Sequence, residues 1–271
     1  MAQSAQYLIN GESITGISPL DRGLGYGDGV FRTLRVRQGV PLGWSFHYHK
    51  LERDCSALGI VCPSQHSLFT DIANLCAEYA ESVAKIVVTR GIGLRGYAPA
   101  SVDSPTRIVI VERFQDYPQA NYAEGVTLHL CSLRLSHQPR LAGIKHLNRL
   151  ENVLARSEWS GSDFADGLLL DQDDLVIECT MSNIFARFDV TLVTPMLNRC
   201  GVEGVTRQRV LDNAENMGYM AEIRPLTLHQ LMQADEIIIC NSLFGAWQVR
   251  TFNNQEWARQ ELAVRIRSML E

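Results

Sequence analysis

The spacing of apolar residues in the first half of the chain predicts short strands and two amphipathic helices. YLING and VFRTLRV alternate between apolar and polar residues, as half-buried strands do. FHYHKLERDCSALGI and HSLFTDIANLCAEYA repeat apolar residues at helical intervals instead. KIVVTRG and TRIVIVERF are nearly continuous apolar runs, which predict buried strands.

The second half begins with another alternating strand, VTLHLCSLRL, and passes through GIKHLNRLENVLAR into a helix. The apolar residues on one side of that helix are Leu147, Leu150, Val153 and Leu154. GLLLDQDDLVIECTMSNIFARFDVTLVTP predicts strands joined by polar turns, and a helix begins at Gly204 and ends at Gly218. Thr227 and Gln230 have the spacing of a capping box, and EIIIC follows as a strand.

Residues 114–125, FQDYPQANYAEG, are polar and have no apolar period, which predicts a linker. We therefore expect an N-terminal domain over residues 1–113 and a C-terminal domain over residues 126–271. Many strands with irregularly placed helices favour an α+β fold over a doubly wound sheet. Residues 91–105 are rich in Gly, Pro and Ser, and a loop of this length is often functional.

Composition excludes several classes of protein. Of 271 residues, 46% are hydrophobic and 20% charged, which is typical of a folded globular chain. The net charge of −5 and the scattered Lys and Arg residues argue against a nucleic-acid partner. Seven cysteines without a CxxC pair indicate neither a zinc site nor a disulfide framework, so we expect no metal and a reducing cytoplasm. The N-terminal residues lack a leader pattern, and no apolar run is long enough for a membrane span.

Three features of the second half could carry chemistry together. Lys145 alone is most simply a surface charge, and Glu178 in LVIECTMSNIF could be an outward-facing strand residue. Gly204, Val205 and Thr206 begin a helix, where unpaired N–H groups favour an anion. The polar residues of CNSLFG, Asn241 and Ser242, either extend that site or form a simple turn.

A lysine, a carboxylate and an anion cradle are the set that pyridoxal 5'-phosphate (PLP) requires. The lysine amine forms a Schiff base with the aldehyde, the carboxylate keeps the pyridine nitrogen protonated, and the cradle holds the phosphate. The sequence therefore favours a PLP enzyme that acts on a small molecule.

Longer motifs throughout the chain resemble the fold-type IV PLP enzymes of the class IV aminotransferase superfamily. They are LINGE, DRGLGYGDGVFRTLRV, TRGIGLRGY, LAGIKHLNRLENVLAR, LLLDQDDLVIECTMSNIF, GVTRQ and ADEIIICNSLFG. The resemblance implies a two-domain α+β fold like that of D-amino-acid aminotransferase, and a homodimer. KHLNRLE is similar to the branch of carbon–oxygen lyases that forms 4-aminobenzoate in folate synthesis.

The resemblance also implies roles for individual residues. Lys145 is the Schiff-base lysine and Glu178 the pyridinium partner, while Val205, Thr206 and Ser242 contact the phosphate. One position departs from the family, because Lys50 stands where an arginine in an H-x-x-R pattern normally grips the phosphate. Lysine supplies a point charge but no bidentate fork, so Lys50 binds with different geometry, Arg53 substitutes for it, or Lys50 is merely a solvated residue.

On the substrate side, the resemblance points to Arg95 and Tyr97 in the long loop, with Arg95 pairing with a carboxylate. Arg32 and Thr33 match substrate-facing positions, but alternation along a strand turns only one of them inward. We prefer Thr33, whose hydroxyl could move a proton or hold the leaving group. The alternatives to the lyase are a branched-chain or D-amino-acid aminotransferase, and a relative that only binds.

Overall fold

The computed structural model describes residues 5–77, 79–93, 95–99 and 104–271. The chain forms two compact units, of which unit 1 comprises Met1–Asp116 and Ile144–Asn148, and unit 2 comprises Tyr117–Gly143 and Arg149–Glu271. The boundary after Asp116 falls inside the stretch predicted as a linker. The short segment Ile144–Asn148, which the predicted boundaries assign to the C-terminal domain, belongs instead to unit 1, because its backbone pairs with a strand of that unit.

Unit 1 is built on a five-stranded antiparallel sheet with the strand order β1-β5-β4-β2-β3. In chain order its elements are β1 (Gln6–Ile9), α1 (Arg22–Tyr26), β2 (Gly29–Arg37), β3 (Val40–Pro41), α2 (Trp44–Leu58), α3 (Gln65–Cys76), β4 (Glu81–Thr89) and β5 (Thr106–Arg113). The strands and helices predicted for the first half are confirmed. Gly59, in the left-handed conformation, ends α2.

The helices α2 and α3 bury one stripe each in the core of unit 1. That core contains Leu51 and Cys55 of α2, Leu68 and Ile72 of α3, and Ile144. Burial of an aliphatic side chain contributes about 1.5–3 kcal/mol. The buried stripe of α2 also contains three polar residues, His47, Lys50 and Asp54, and such groups require partners inside the protein.

Unit 2 contains a mixed sheet with the strand order β11-β10-β9-β12-β13-β6-β7-β8, to which β14 is added beside β13. Its elements are α4 (Gln119–Ala123), β6 (Val126–Leu135), α5 (Leu150–Arg156), β7 (Asp166–Asp171), β8 (Val176–Cys179), β9 (Asn183–Phe188), β10 (Thr191–Pro195), α6 (Val205–Asp212), β11 (Met220–Arg224), α7 (Leu228–Met232), β12 (Glu236–Asn241), β13 (Gly245–Phe252), β14 (Gln255–Glu256) and α8 (Leu262–Leu270). A short 3₁₀ turn, Glu215–Met217, follows α6.

Several helices begin or end at the residues where capping signals in the sequence predict it. Gly204 is the N-cap of α6, and Gly218 ends the 3₁₀ turn in the left-handed conformation. Both hydrogen bonds of the predicted capping box at Thr227 and Gln230 are present. The mixed α+β content is confirmed. None of the helices in the described part of the chain is both long and apolar enough to cross a membrane.

Candidate active site

Lys145 lies on an extended segment and not within a helix. Val30 of β2 and His146 form an antiparallel bridge, in which Phe31 N–H donates to the carbonyl of Lys145 at 2.9 Å. Leu147 N–H donates to the carbonyl of Gly29 at 3.0 Å. The helix predicted after Lys145 begins only at Leu150. The segment therefore extends the pairing of β2, which holds the Lys145 backbone against the sheet of unit 1.

The half-buried side chain of Lys145 lies beside β2 of the same unit. Its Nζ atom is 4.7 Å from the centroid of the Phe31 ring. Thr33 is on the same face of β2 as Phe31, because alternate residues of a strand share a face. Arg32, on the opposite face, is buried with 2% exposure. The strand thus presents only one of the two candidates, Thr33, on the face where Lys145 lies.

Lys50 is buried with 7% of its surface exposed, which excludes the solvated alternative for this residue. Its ammonium group pairs with Asp54, one helical turn along α2. Arg53, the possible substitute, is exposed. The arrangement retains a buried cation on α2 at the position where the resemblance implies a phosphate contact.

Sequence reasoning missed Asp54. Its carboxylate is 2% exposed, pairs with Lys50 and Arg32, and accepts the backbone N–H of Lys145 at 3.0 Å. The available signal was a carboxylate four residues after Lys50 on the buried stripe of α2. Its contact with Lys145 joins residues 91 positions apart, which no local pattern predicts.

Glu178 is buried in unit 2, so it is not an outward-facing strand residue. Every residue of β8 is buried, and Glu178 itself is 4% exposed. Its Oε2 atom accepts the backbone N–H of Val202 at 2.8 Å. Gly201, at a φ of +83°, allows this approach, since a Cβ there would lie 2.7 Å from the Ile177 side chain. The carboxylate is therefore held by backbone in an enclosed environment.

Arg149 is a second charged group in this part of unit 2. Burial lowers the pKa of its guanidinium, and the negative charges of Glu178 and Glu151 act in the opposite direction. Arg149 thus adds positive charge to the surroundings of the Glu178 carboxylate.

The predicted anion cradle lies at the N-terminus of α6. Gly204, the N-cap, has extended backbone angles and provides no side-chain cap. The following Val205 and Thr206 are buried. Thr206 Oγ1 lies 3.4 Å from Ser242 Oγ, so two hydroxyl groups meet at this helix end. Backbone N–H groups, the helix dipole and hydroxyl groups are a suitable environment for a phosphate.

Asn183 of β9 braces the cradle and was not among the predicted residues, although it opens the NIF string of the resemblance. Its Oδ1 atom accepts the Gly204 N–H at 3.1 Å, and its Nδ2 donates to the Val202 carbonyl at 2.8 Å. A Cβ on Gly204 would lie 2.1 Å from Asn183 Oδ1. Asn183 therefore links Val202, whose N–H donates to Glu178, to the start of α6.

Asn241 stabilises a turn, which was the alternative to a place in the anion site. Its Oδ1 atom accepts the N–H groups of Leu243 and Phe244 at 2.9 and 3.0 Å. Its Nδ2 donates to the Met181 carbonyl at 3.3 Å. By stabilising this turn, Asn241 fixes the backbone that carries the adjacent Ser242.

Arg95 and Tyr97 lie on an exposed loop of unit 1, and Leu94 and residues 100–103 of the predicted loop lie outside the described residues. The buried guanidinium of Arg22 donates to the carbonyls of Gly96 and Tyr97 at 3.0 and 2.9 Å. Tyr97 is 85% exposed and packs against the Tyr26 ring at 5.4 Å. Arg22, which the sequence analysis did not select, thus anchors the backbone that carries both candidates.

The chemistry of these residues fits PLP. Unit 1 supplies a lysine amine beside an aromatic ring and a buried cation at Lys50. Unit 2 supplies a buried carboxylate and a helix N-terminus whose N-cap has no room for a Cβ. These are the groups that bind an aldehyde, a pyridine nitrogen and a phosphate.

Comparison with known proteins gives the same family. Residues 29–252 match the model of the family described as amino-transferase class IV. Aminodeoxychorismate lyase of Vibrio harveyi is 36% identical, with 88% of each chain covered. A putative branched-chain-amino-acid aminotransferase of Methanocaldococcus jannaschii is 31% identical over 82% of this chain and 78% of that protein. The crystal structure of 4-amino-4-deoxychorismate lyase from Pseudomonas aeruginosa is 44% identical, has a TM-score of 0.93, and is matched over 97% of both chains.

Proposed function

Because the chain belongs to the class IV aminotransferase family, we propose that it is a PLP-dependent carbon–oxygen lyase that converts 4-amino-4-deoxychorismate to 4-aminobenzoate and pyruvate. The observation that carries this proposal is the likeness to lyases of that name over 97% of both chains in the Pseudomonas aeruginosa structure and 88% of both in the Vibrio harveyi protein. The putative aminotransferase of Methanocaldococcus jannaschii is less similar than either, at 31% identity.

We assign the cofactor contacts residue by residue. Lys145 would hold the aldehyde of PLP, and Glu178 would keep its pyridine nitrogen protonated. Val205, Thr206 and Ser242 bind the phosphate, as does Lys50, and Asn241 supports Ser242 from the turn. The buried position of Glu178 favours this assignment, since a carboxylate held away from water keeps a bound nitrogen protonated most effectively.

When bound, PLP acts as an electron sink for the carbon next to the substrate amine. The amine of Lys145 would remove the proton from C4 of the substrate ring. Loss of the enolpyruvyl group from C3 then makes the ring aromatic, and the released enol becomes pyruvate. Thr33, on the same face of β2 as Phe31, beside which Lys145 lies, donates a hydrogen bond to the leaving oxygen, and that oxygen takes up the proton that Lys145 removed.

The substrate carries two carboxylates, so the acidic chain must provide local positive charge. Arg95 supplies that charge, because its guanidinium is exposed on a loop and can form a bidentate pair with a carboxylate. Tyr97 packs against the substrate from the same loop. Arg22 contributes by fixing the loop carbonyls on which both side chains depend.

The homodimer is also a proposal, supported by exposed apolar residues on α5. Leu150, Val153 and Leu154 are 74%, 57% and 60% exposed and lie on one side of this helix. Such patches mark interfaces in soluble proteins. Leu154→Lys should therefore lower the sedimentation mass to that of one chain, whereas the control Val190→Lys, in an exposed turn, should not. A parent protein that sediments as a monomer would refute the dimer.

Location in the cytoplasm is proposed on the basis of the cysteines. All seven are unpaired thiols, and six of them are buried. A reducing compartment suits this pattern, since oxidising compartments favour disulfides.

The rival function is amino transfer by a branched-chain or D-amino-acid aminotransferase, which would use Lys145 and Glu178 in the same positions. The two differ in whether a leaving group is expelled. The test compares kcat/KM for 4-aminobenzoate formation with kcat/KM for transfer from D-alanine or branched-chain L-amino acids to 2-oxoglutarate. We expect the lyase value to be higher by about 100-fold or more. Amino transfer without 4-aminobenzoate would assign the chain to the aminotransferases.

A further inference from the structure

Asp54 joins three elements of unit 1 through a single buried carboxylate. Its Oδ1 pairs with Lys50 of the same helix, and its Oδ2 pairs with Arg32 of β2. The same Oδ2 accepts the backbone N–H of Lys145 at 3.0 Å. All three charged side chains are at most 9% exposed. The backbone of the reactive lysine is therefore bonded directly to a buried charge cluster.

This cluster is a firm anchor for physical reasons. Removing one partner from a buried ion pair leaves an uncompensated charge in a medium of low polarity, which is strongly unfavourable. Asp54 is thus held from two sides, by a cation on its own helix and by a cation on the neighbouring strand. A hydrogen bond to a carboxylate is also stronger than one to a neutral acceptor. Lys145 N–H is consequently fixed more firmly than by an ordinary backbone bond.

On the N-terminal side of Lys145, the bond to Asp54 adds to the backbone bonds that Gly143 makes with Gly201 and Glu203. The carbonyl of Lys145 and the N–H of Leu147 pair with β2. Those bonds hold the peptides that follow the Lys145 Cα atom, whereas the bond to Asp54 holds the peptide that precedes it. Because the peptides on both sides of the Lys145 Cα atom are held, the positions that Nζ can reach depend on the side-chain torsions.

We propose that Asp54 is a positioning residue that orients Lys145 for its reaction and couples it to the phosphate-binding cation Lys50. The inference rests on the proposed function, in which Lys145 carries the cofactor and acts as the base. A reactive group must be held close to its productive geometry, and small displacements reduce rates steeply. Given these roles, Asp54 is the shared partner of the Lys50 side chain, which binds the phosphate, and of the backbone N–H of Lys145, which carries the reactive amine.

The experiment compares Asp54→Ala and Asp54→Asn with the control Asp71→Ala in PLP-loaded protein. Asp71 is also a buried carboxylate of unit 1, on α3, and pairs with Arg107 at 2.6 Å. The readouts are Tm, the pH titration of the absorbance of bound PLP, borohydride trapping at Lys145, and kcat per bound cofactor. The titration and the trapping report on Lys145 without any substrate, so they remain decisive if 4-aminobenzoate formation fails.

We expect Asp54→Ala to shift the titration and to lower kcat about tenfold while KM changes less than threefold. In Asp54→Asn, the amide Oδ1 still accepts an N–H. The titration and kcat should therefore change in the same direction as in Asp54→Ala, but by less. Asp71→Ala should lower Tm but leave the titration and kcat unchanged. An Asp54→Ala protein with the parent titration and kcat would overturn the proposal, as would absence of trapping at Lys145 in the parent. If Asp54→Ala does not fold, an unshifted titration in Asp54→Asn overturns it.

Discussion

The Oε2 atom of Glu178 accepts the backbone N–H of Val202 at 2.8 Å inside unit 2. Glu178 thus has a structural role, the bond to Val202, and a proposed role toward the pyridine nitrogen of PLP. One substitution can separate the two roles. A glutamine can still accept the N–H through its amide oxygen, but it cannot stabilise a protonated pyridine nitrogen as a carboxylate does. Glu178→Gln should therefore fold normally and bind PLP, while kcat for 4-aminobenzoate formation falls about 100-fold.

The matched control for this substitution is Glu236→Gln. Glu236 is a buried carboxylate of the same unit that pairs with Arg187 at 3.2 Å. Burial raises its pKa, and the Arg187 charge opposes that effect. Both variants should have a Tm close to that of the parent, but only Glu178→Gln should lose activity. Equal kcat values for the two variants would contradict the assigned role of Glu178.

Lys50→Gln tests the phosphate contact on α2. The substitution removes the ammonium group while leaving a side chain of similar length beside Asp54. We expect the Kd of PLP to rise about tenfold, whereas the Kd of pyridoxal, which lacks the phosphate, should change little. Both constants follow from absorbance titrations of the apoenzyme. A parallel rise for PLP and pyridoxal would show that Lys50 supports only the fold.

Gly204→Ala tests the cradle at α6. Its Cβ would meet Asn183 Oδ1 at 2.1 Å, so the brace must move although the backbone angles suit alanine. The Kd of PLP should rise by about tenfold or more, because the N–H groups of the cradle shift. Gly16→Ala is the control, since a Cβ there meets nothing within 4 Å. An unchanged Kd in Gly204→Ala would argue against phosphate binding at this helix end.

The acid sensitivity of unit 1 should depend on Asp28. Burial opposes its ionisation, but hydrogen bonds and charge from Arg90 and Arg22 outweigh burial and lower its pKa. A carboxyl with a lowered pKa stabilises the fold above its unfolded value of 3.8, and this stability is lost as the pH falls through the folded value. Urea unfolding should show Asp28→Asn less stable than the parent at pH 7.

That difference in the free energy of unfolding should stay constant down to about pH 5 and then shrink as the pH falls further, since protonation removes the same charge from the parent. A difference that does not vary between pH 7 and pH 3 would contradict the role of the ion pairs. The Arg22–Asp28 contact should weaken over the same pH range. Because Arg22 also donates to the Gly96 carbonyl, the loop that carries Arg95 should then be held less firmly.

Patterns within one element were predictable from the sequence, because they depend on neighbours along the chain. The alternation of β2 correctly separated Arg32 from Thr33, and the capping box at Thr227 and Gln230 formed as expected. These features depend on strand pleating and on local hydrogen bonds.

Features that depend on distant residues were not predictable. The Lys145 segment pairs with β2, so its helix starts five residues after Lys145 rather than near it. Asp54 became significant only once the fold brought it to the Lys145 backbone. The apolar side of α5 was visible in the sequence, but periodicity alone could not show that Leu150 and Leu154 remain exposed.

The most direct test of the account is to incubate the PLP-loaded protein with 4-amino-4-deoxychorismate and quantify 4-aminobenzoate and pyruvate together, for the parent and for Lys145→Ala. We expect equal molar amounts of both products from the parent. Lys145→Ala should lose turnover by at least about 1000-fold, because the base and the cofactor attachment are removed together. Turnover near the parent rate in Lys145→Ala, or a parent that forms neither product, would contradict it.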